Sequence, residues 1–224
     1  MGRIRKFYET SFAAMLPPAQ VAAAFARAGE LAARQKMSPA FTLALAHAEV
    51  RQRIGVTARF PRSFVCDAGL GGLARWIRGA GYEARWNPSL DDAATIREAQ
   101  RLTATLITTD SLMMERGVLR DGLVPAVFLP SSIRCEEQLL VVLQELALPL
   151  RDSRCMNCGG ELRRVEKETV ADRIPPKTAK WLDEYFVCVQ CDHLFWRGTH
   201  WQKITAKLAE LERSFRTPPA SHSP

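Results

Sequence analysis

Two sets of residues in this chain have types and spacings that can do chemistry. The first is a cysteine quartet, Cys155-x2-Cys158 and Cys188-x2-Cys191, with 29 residues between the pairs. Two intervening residues let the backbone curl back so that both sulfurs address one point. Two such turns offer four thiolates, a tetrahedral zinc shell with no open position. The long separation implies an insert between the turns. Two structural disulfides are the competing reading, and they need an oxidising compartment to which the sequence shows no route. A closed shell holds a fold together and leaves no position for substrate, so the reaction must be sought elsewhere.

The second set is a series of aspartates behind short apolar runs. Asp67 follows Phe64-Val65-Cys66, and Asp110 follows the run Thr103 to Thr108. In an open parallel sheet, ligands bind beyond the carboxyl ends of the strands, where the strand order reverses. If the order is 2-1-3-4, Asp67 and Asp110 face one crevice. Asp91 and Asp92, opening the intervening helix, can reach the same rim. Crowded carboxylates repel unless a divalent cation joins them, and hard oxygen ligands with water positions suit Mg²⁺ or Mn²⁺. Such a site activates water for in-line displacement at a phosphodiester. Taken singly, Asp67, Asp92 and Asp110 each also read as helix N-caps.

Other features are weaker. Gly69, Gly71 and Gly72 match neither nucleotide-binding fingerprint and read better as close helix–sheet packing. Arg75 and Arg78, on the expected polar side of a helix, either clamp a phosphate or face solvent. Thr109 and Ser111 flank Asp110 and can orient a ligand or cap a helix. His200 lies near the cysteines, but four thiolates already complete the shell. No Ser-His-Asp or Cys-His arrangement stands out, and a DxDxT phosphatase would need an acid where Gly69 stands.

The elements that must position these residues follow from periodicity. Residues 1–60 read as Ala-rich helices, the second from about Pro39 to Arg53, with no catalytic chemistry of their own. From Ser63 the pattern changes. Short apolar strands (Phe64–Cys66, Tyr82–Trp86, Thr103–Thr108, Val124–Leu129) alternate with helices. Among these helices are one burying Leu70, Leu73, Ala74 and Ile77, one opening at Asp91-Asp92, and one from about Arg134 to Leu148. This alternation implies an α/β fold, a parallel sheet with helices on both faces. The cysteine module starts at Arg151. Its insert reads as helical around Ala179 to Tyr185. Thr199 and Gln202 form a capping-box signal for a last helix burying Ile204, Leu208, Leu211 and Phe215.

The composition is that of a folded protein: 47% hydrophobic residues over 224. No apolar run is long enough to span a bilayer, a signal peptide is a poor reading of the N-terminus, and a cytoplasmic location is expected. Cys66 and Cys135, outside the quartet, read as buried small apolar residues. The net charge of +7 is uneven. Residues 1–62 hold 10 Lys/Arg against 3 Asp/Glu, residues 63–150 hold 8 against 11, and residues 151–224 hold 13 against 10. An acid-rich centre between basic flanks suits an enzyme that gathers a cation at its site and a polyanion around it. Ordinary solvated surface would give the same balance.

The stretch Val65 to Trp86 resembles the opening of the Mut-seven C-terminal ribonuclease family. That pattern is an Asp, a Leu-Gly-x-Leu-Ala-Arg-Trp-Leu-Arg helix and a Gly-Tyr pair. Here Leu70-Gly71-Gly72-Leu73-Ala74-Arg75-Trp76-Ile77-Arg78 and Gly81-Tyr82 match it closely. The family's Thr-Arg-Asp strand end appears as Thr108-Thr109-Asp110, with Thr109 in place of the basic residue. The zinc part matches through both cysteine pairs and Trp196-Arg197-Gly198-Thr199-His200-Trp201. The resemblance covers about residues 63–205. It implies a PIN-like nuclease domain over 61–150 and a zinc ribbon with a C-terminal helix over 151–216. A helical basic extension (1–60) precedes them and a flexible tail (217–224) follows. It further implies Asp67, Asp92 and Asp110 as catalytic carboxylates holding Mg²⁺ or Mn²⁺, structural Zn²⁺ on the cysteines, and RNA as substrate. Arg75, Arg78, Arg197, His200 and Trp201 are candidate nucleic-acid contacts, with possible stacking on Trp196. Asp91 is the alternative to Asp92, and Asp121 is a candidate further acid. A non-catalytic RNA-binding adaptor and a protein-interaction scaffold are the alternative functions. Residues 1–60 do not resemble the β-grasp domain often found ahead of this module.

Overall fold

The computed structural model describes residues 2–196 together with Ala206 and Ala209. The chain divides into two compact units, one ending at Asp152 and one beginning at Ser153.

The first unit is built on a parallel sheet of β1 (Ser63–Cys66), β2 (Glu83–Trp86), β3 (Thr105–Thr108) and β4 (Ala126–Phe128). Its order is β2-β1-β3-β4, so β1 and β3 are neighbours where the order reverses. The central strands are apolar because both faces are covered: Phe64, Val65, Leu106, Ile107 and Val127 are all buried. The crossover helices are α4 (Gly71–Gly79) and α5 (Asp92–Arg101). Two single-turn helices, α6 (Ser111–Met114) and α7 (Gly117–Arg120), fill the connection from β3 to β4. Helix α8 (Cys135–Glu145) closes the unit. The third strand starts two residues later than its apolar pattern implies, because Thr103 turns the chain at φ 48°.

The glycines at the start of α4 serve close packing. A Cβ on Gly71 would lie 2.6 Å from the Trp86 ring, and one on Gly72 would lie 2.7 Å from Cys135 Sγ. Two expectations are corrected here. Arg78 does not face solvent. It is buried, and its Nε donates to the Ala84 carbonyl at 2.9 Å, which excludes it as a surface RNA contact. Cys135, the first residue of α8, is only half-buried, unlike Cys66.

Residues ahead of the sheet form α1 (Gly2–Ala13), α2 (Pro18–Gln35) and α3 (Pro39–Arg53). The start of α3 is set by Pro39 at its first turn and by the Ser38 hydroxyl, which accepts from Phe41 N. This helix is a core element, with Phe41, Leu43, Leu45 and Val50 buried, and it packs between α2 and α8. Arg51 Nη1 lies 2.5 Å from Glu145 Oε1 and also donates to the Ala126 carbonyl at the start of β4. Thr57 Oγ1 donates to the Glu145 carbonyl at 2.6 Å, and Arg62 donates to the Leu146 carbonyl. The Glu145 carboxyl is pushed up by burial and drawn back by Arg51.

The second unit is an antiparallel sheet, β5 (Leu162–Val165), β6 (Tyr185–Cys188) and β7 (Leu194–Trp196), in that order. Val170, Ile174, Tyr185, Val187 and Leu194 form its core. The insert holds a 3-10 segment (Lys167–Arg173) and one helical turn, α9 (Pro176–Ala179). The helix expected around 179–185 is therefore corrected. Pro176 starts it earlier, and Tyr185 is taken by β6, where it pairs with Val165 and Trp196. Arg197, His200, Trp201 and the helix expected after Thr199 lie outside the described residues.

Candidate active site and metal centre

The two cysteine turns repeat one backbone construction. Gly159 N donates to the Cys155 carbonyl at 2.8 Å, and Asp192 N donates to the Cys188 carbonyl at 3.0 Å. Cys155 N reaches the Gly160 carbonyl as Cys188 N reaches that of His193. The residue after each pair turns back with positive φ, Gly159 at 85° and Asp192 at 54°. Amide hydrogens then point at the sulfurs: Cys158 N to Cys155 Sγ, Gly160 N to Cys158 Sγ and Gln190 N to Cys188 Sγ, at 3.4–3.5 Å. The four Sγ atoms lie within 4.8 Å of one another, with Cys155–Cys191 at 3.6 Å and Cys158–Cys188 at 3.4 Å. A tetrahedron of thiolates at the zinc–sulfur distance has edges of about 3.8 Å, whereas a disulfide would bring two sulfurs to about 2 Å. The donor set and its spacing therefore suit a four-coordinate metal ion. Burial pushes the Cys155 thiol up to about 12, and the His193 amide draws the exposed Cys191 thiol down to about 6.

In the first unit, the strand order brings two aspartates to adjoining strand ends. Asp67 N donates to the Ile107 carbonyl, which extends the β1–β3 ladder by one residue. Its Oδ1 accepts from Ala68 N at 2.6 Å, and its Oδ2 accepts from Thr108 Oγ1 at 2.8 Å. The same hydroxyl accepts from Asp110 N at 2.9 Å, while Asp110 Oδ1 caps α6 through Leu112 N. One fully buried threonine thus orients the first carboxylate and anchors the backbone of the second. Both aspartates are half-exposed, so caps and open ligands are not exclusive here. Sequence reasoning passed over Thr108 as the last residue of a strand. The signal was a hydroxyl two residues before an acid, at the end of an inner strand.

The remaining acids are placed differently. Asp91, not Asp92, caps α5 by accepting from Ala94 N. Asp92 pairs with Arg116 at 3.3 Å, and Asp121 pairs with its neighbour Arg120. Among the described residues, the cysteine quartet is the one group of three or more potential ligands gathered closely enough to hold an ion. Trp86, at the end of β2, borders the Asp67 turn. Its indole Nε1 donates to the Ala68 carbonyl at 2.8 Å. Arg75 is exposed on α4.

A family model, the Mut7-C RNAse domain, matches residues 62–208, which takes in the sheet, both aspartates and all four cysteines. The chain belongs to this family. Membership points to ribonuclease chemistry, with RNA as the class of substrate. No curated protein and no solved structure matches the chain. Helices α1, α2 and α3 lie ahead of the matched span. Among the described residues, no helix is long and apolar enough to cross a membrane.

Proposed function

We propose that this protein is a metal-dependent ribonuclease acting from the crevice at the carboxyl ends of β1 and β3. The observation that carries the reading is the pair of half-exposed aspartates on neighbouring strands, held together by Thr108, within a chain of a ribonuclease family. Asp67 and Asp110 keep carboxylate lone pairs free of their capping bonds, and Mg²⁺ or Mn²⁺ is commonly held by one or two carboxylates with water and phosphate completing the shell. When bound, such an ion activates water and neutralises charge at the phosphodiester. Thr108 fixes the Asp67 carboxylate so that little reorganisation is needed on loading. Asp92 stands at the head of α5 with its charge met by Arg116, and joins the site as a rim carboxylate. The cysteine quartet holds a structural Zn²⁺, with all four positions filled by protein. Thiols gathered as metal ligands rather than paired as disulfides fit a reducing, cytoplasmic setting.

The test is cleavage of single-stranded RNA with Mn²⁺ by wild type beside Asp67→Asn and Asp110→Asn. Each substitution should lower the rate by at least about a hundredfold, as loss of a group stabilising transition-state charge does. No cleavage by wild type, or cleavage by both variants at the wild-type rate, overturns the reading. One observation favours a second reading, a non-catalytic RNA-binding adaptor: Thr109 stands where the family pattern has an arginine, and the three aspartates do not gather as a cluster. The adaptor binds the RNA and leaves it intact in the same assay.

A further inference from the structure

Helix α1 precedes the span that the family model covers, yet it packs at the catalytic end of the sheet. Phe7 lies with its ring centroid 4.1 Å from that of Phe128, and Tyr8 lies 5.8 Å from the same ring. Phe128 ends β4 and is in register with Thr108 on β3. Residues in register on adjacent strands project from the same sheet face. Phe7 therefore meets the face that carries the Thr108 hydroxyl, one strand spacing (about 4.8 Å) along. Helix α1 also packs against α6, the turn that Asp110 caps. It thus forms the wall of the carboxylate crevice beside β4.

The exposed flank of that wall is basic. Arg3 lies one helical turn from Phe7 (i, i+4) and borders the face that leans on Phe128, and Lys6, one turn from Arg3 (i, i+3), carries the same flank outward to solvent. Both are exposed. The third cation of the helix, Arg5, is on the other flank, where it pairs with Glu9 and lies over the Phe25 ring. The crevice itself is acidic, so a polyanion approaching it needs positive charge at the rim.

We propose that α1 is a phosphate clamp, in which Arg3 and Lys6 hold the backbone of a single-stranded RNA as it enters the Asp67–Asp110 crevice. The proposal rests on the nuclease reading for its substrate and adds a role for the extension.

The test measures binding of a fluorescein-labelled 15-nucleotide oligouridine without added divalent ion, by anisotropy across a salt series. The variants are the doubles Arg3→Glu/Lys6→Glu and Arg97→Glu/Arg101→Glu. The second pair makes the same charge change on α5, whose last turn leads into the amino end of β3, at the end of the strands opposite the crevice. The α1 variant should bind about tenfold more weakly, with the slope of log K against log salt reduced by about 1.4, or ~0.7 for each phosphate that is no longer neutralised. The α5 variant should keep the wild-type slope. All four positions are exposed, and matching thermal transitions verify folding. An α1 variant that binds like the α5 variant overturns the clamp. If Mn²⁺-dependent cleavage still disappears in Asp67→Asn, the nuclease reading survives that failure. Wild-type protein that neither binds nor cleaves the RNA overturns both.

Discussion

The cysteine centre and the aspartate crevice are both made of turns at strand ends, but they are assembled in opposite ways. Each cysteine turn is local: six consecutive residues supply two sulfurs, the amides that point at them and the bonds that close the turn. The four donors are already within a metal's reach. The crevice is non-local. Its aspartates lie 43 positions apart in sequence, on strands that meet only in the folded sheet, and one hydroxyl links them. A shell that the protein fills completely suits a structural ion. Two half-exposed carboxylates with free lone pairs leave room for water and a phosphate. The contrast teaches that a strong metal motif can belong to the scaffold of a chain, and in the function proposed above the quieter pair is the one that carries the chemistry.

The largest effect that can test this contrast is removal of the structural metal. Cys155→Ser or Cys188→Ser replaces a buried ligand. Structural zinc in small modules contributes on the order of 10–16 kcal/mol of apparent binding free energy, which is also folding free energy. The expected outcome is a fall from about one Zn per chain to none, with rapid proteolysis within 153–196 while the sheet unit stays resistant. Metal analysis and limited digestion check it. Retention of a resistant second unit without metal would break the contrast, because the cysteine cluster would then be dispensable to its own fold.

The next largest effect concerns the scaffold of the crevice. Arg51 ties α3 to Glu145 on α8 and to the Ala126 carbonyl on β4. Arg51→Met leaves the fully buried Glu145 carboxylate without its cation, and such a loss typically costs about 3–5 kcal/mol. Thermal or denaturant unfolding of the sheet unit should register it, with zinc content unchanged. Loss of zinc as well would show that the two units do not fold separately.

How much of this was readable in advance follows the same division. The cysteine turns were legible because their information is local, down to Gly159 at a positive φ. Asp67 and Asp110 were legible as strand-end acids, and the order 2-1-3-4 was available as a condition under which they would meet. The bonds that join them were not, since a buried Thr108 hydroxyl looks in sequence like any strand threonine. Arg78 was misplaced because helical periodicity assigns a charged residue to solvent, whereas α4 is packed by both β2 and α8 and the guanidinium finds a backbone carbonyl inside. The extension was legible as helices, with α3 matching its expected limits. Its integration into the sheet unit depends on partners 75 to 94 positions away, which no local pattern encodes.

A smaller effect sharpens the contrast at its centre. Thr108→Val keeps the shape of the side chain and removes both bonds of its hydroxyl, leaving Asp67 Oδ2 without that donor and Asp110 N without that acceptor. An unsatisfied buried polar group costs about 1–3 kcal/mol. Loss of a residue that orients a metal ligand typically lowers metal affinity or activity about 10–100-fold. Mn²⁺ binding followed by electron paramagnetic resonance should weaken in that range, and Thr108→Ser should restore it. Unchanged Mn²⁺ affinity in Thr108→Val would mean that the crevice is held by its strands alone.

The smallest expected effect is a pH dependence confined to the sheet unit. His47 is buried on α3 among Phe7, Tyr8 and Phe12, and its Nε2 lies 2.7 Å from the Ser11 hydroxyl. Burial, reinforced by the Arg51 charge, holds its pKa well below the ordinary value of 6.5. Below that value the unfolded chain binds a proton that the folded chain refuses, so ν_U exceeds ν_N and stability rises with pH across this window. On acidification from about pH 6.5 this group removes stability at up to ~1.4 kcal/mol per pH unit. Other titrating groups, Glu145 and the thiols among them, contribute to wild type and to His47→Gln alike, so the difference between the two isolates the imidazole. That difference should decline steadily below pH 6.5 and be flat above it. A flat difference throughout would mean that the imidazole gains its proton inside the fold, and the packing of α1 against α3 would then tolerate a buried charge.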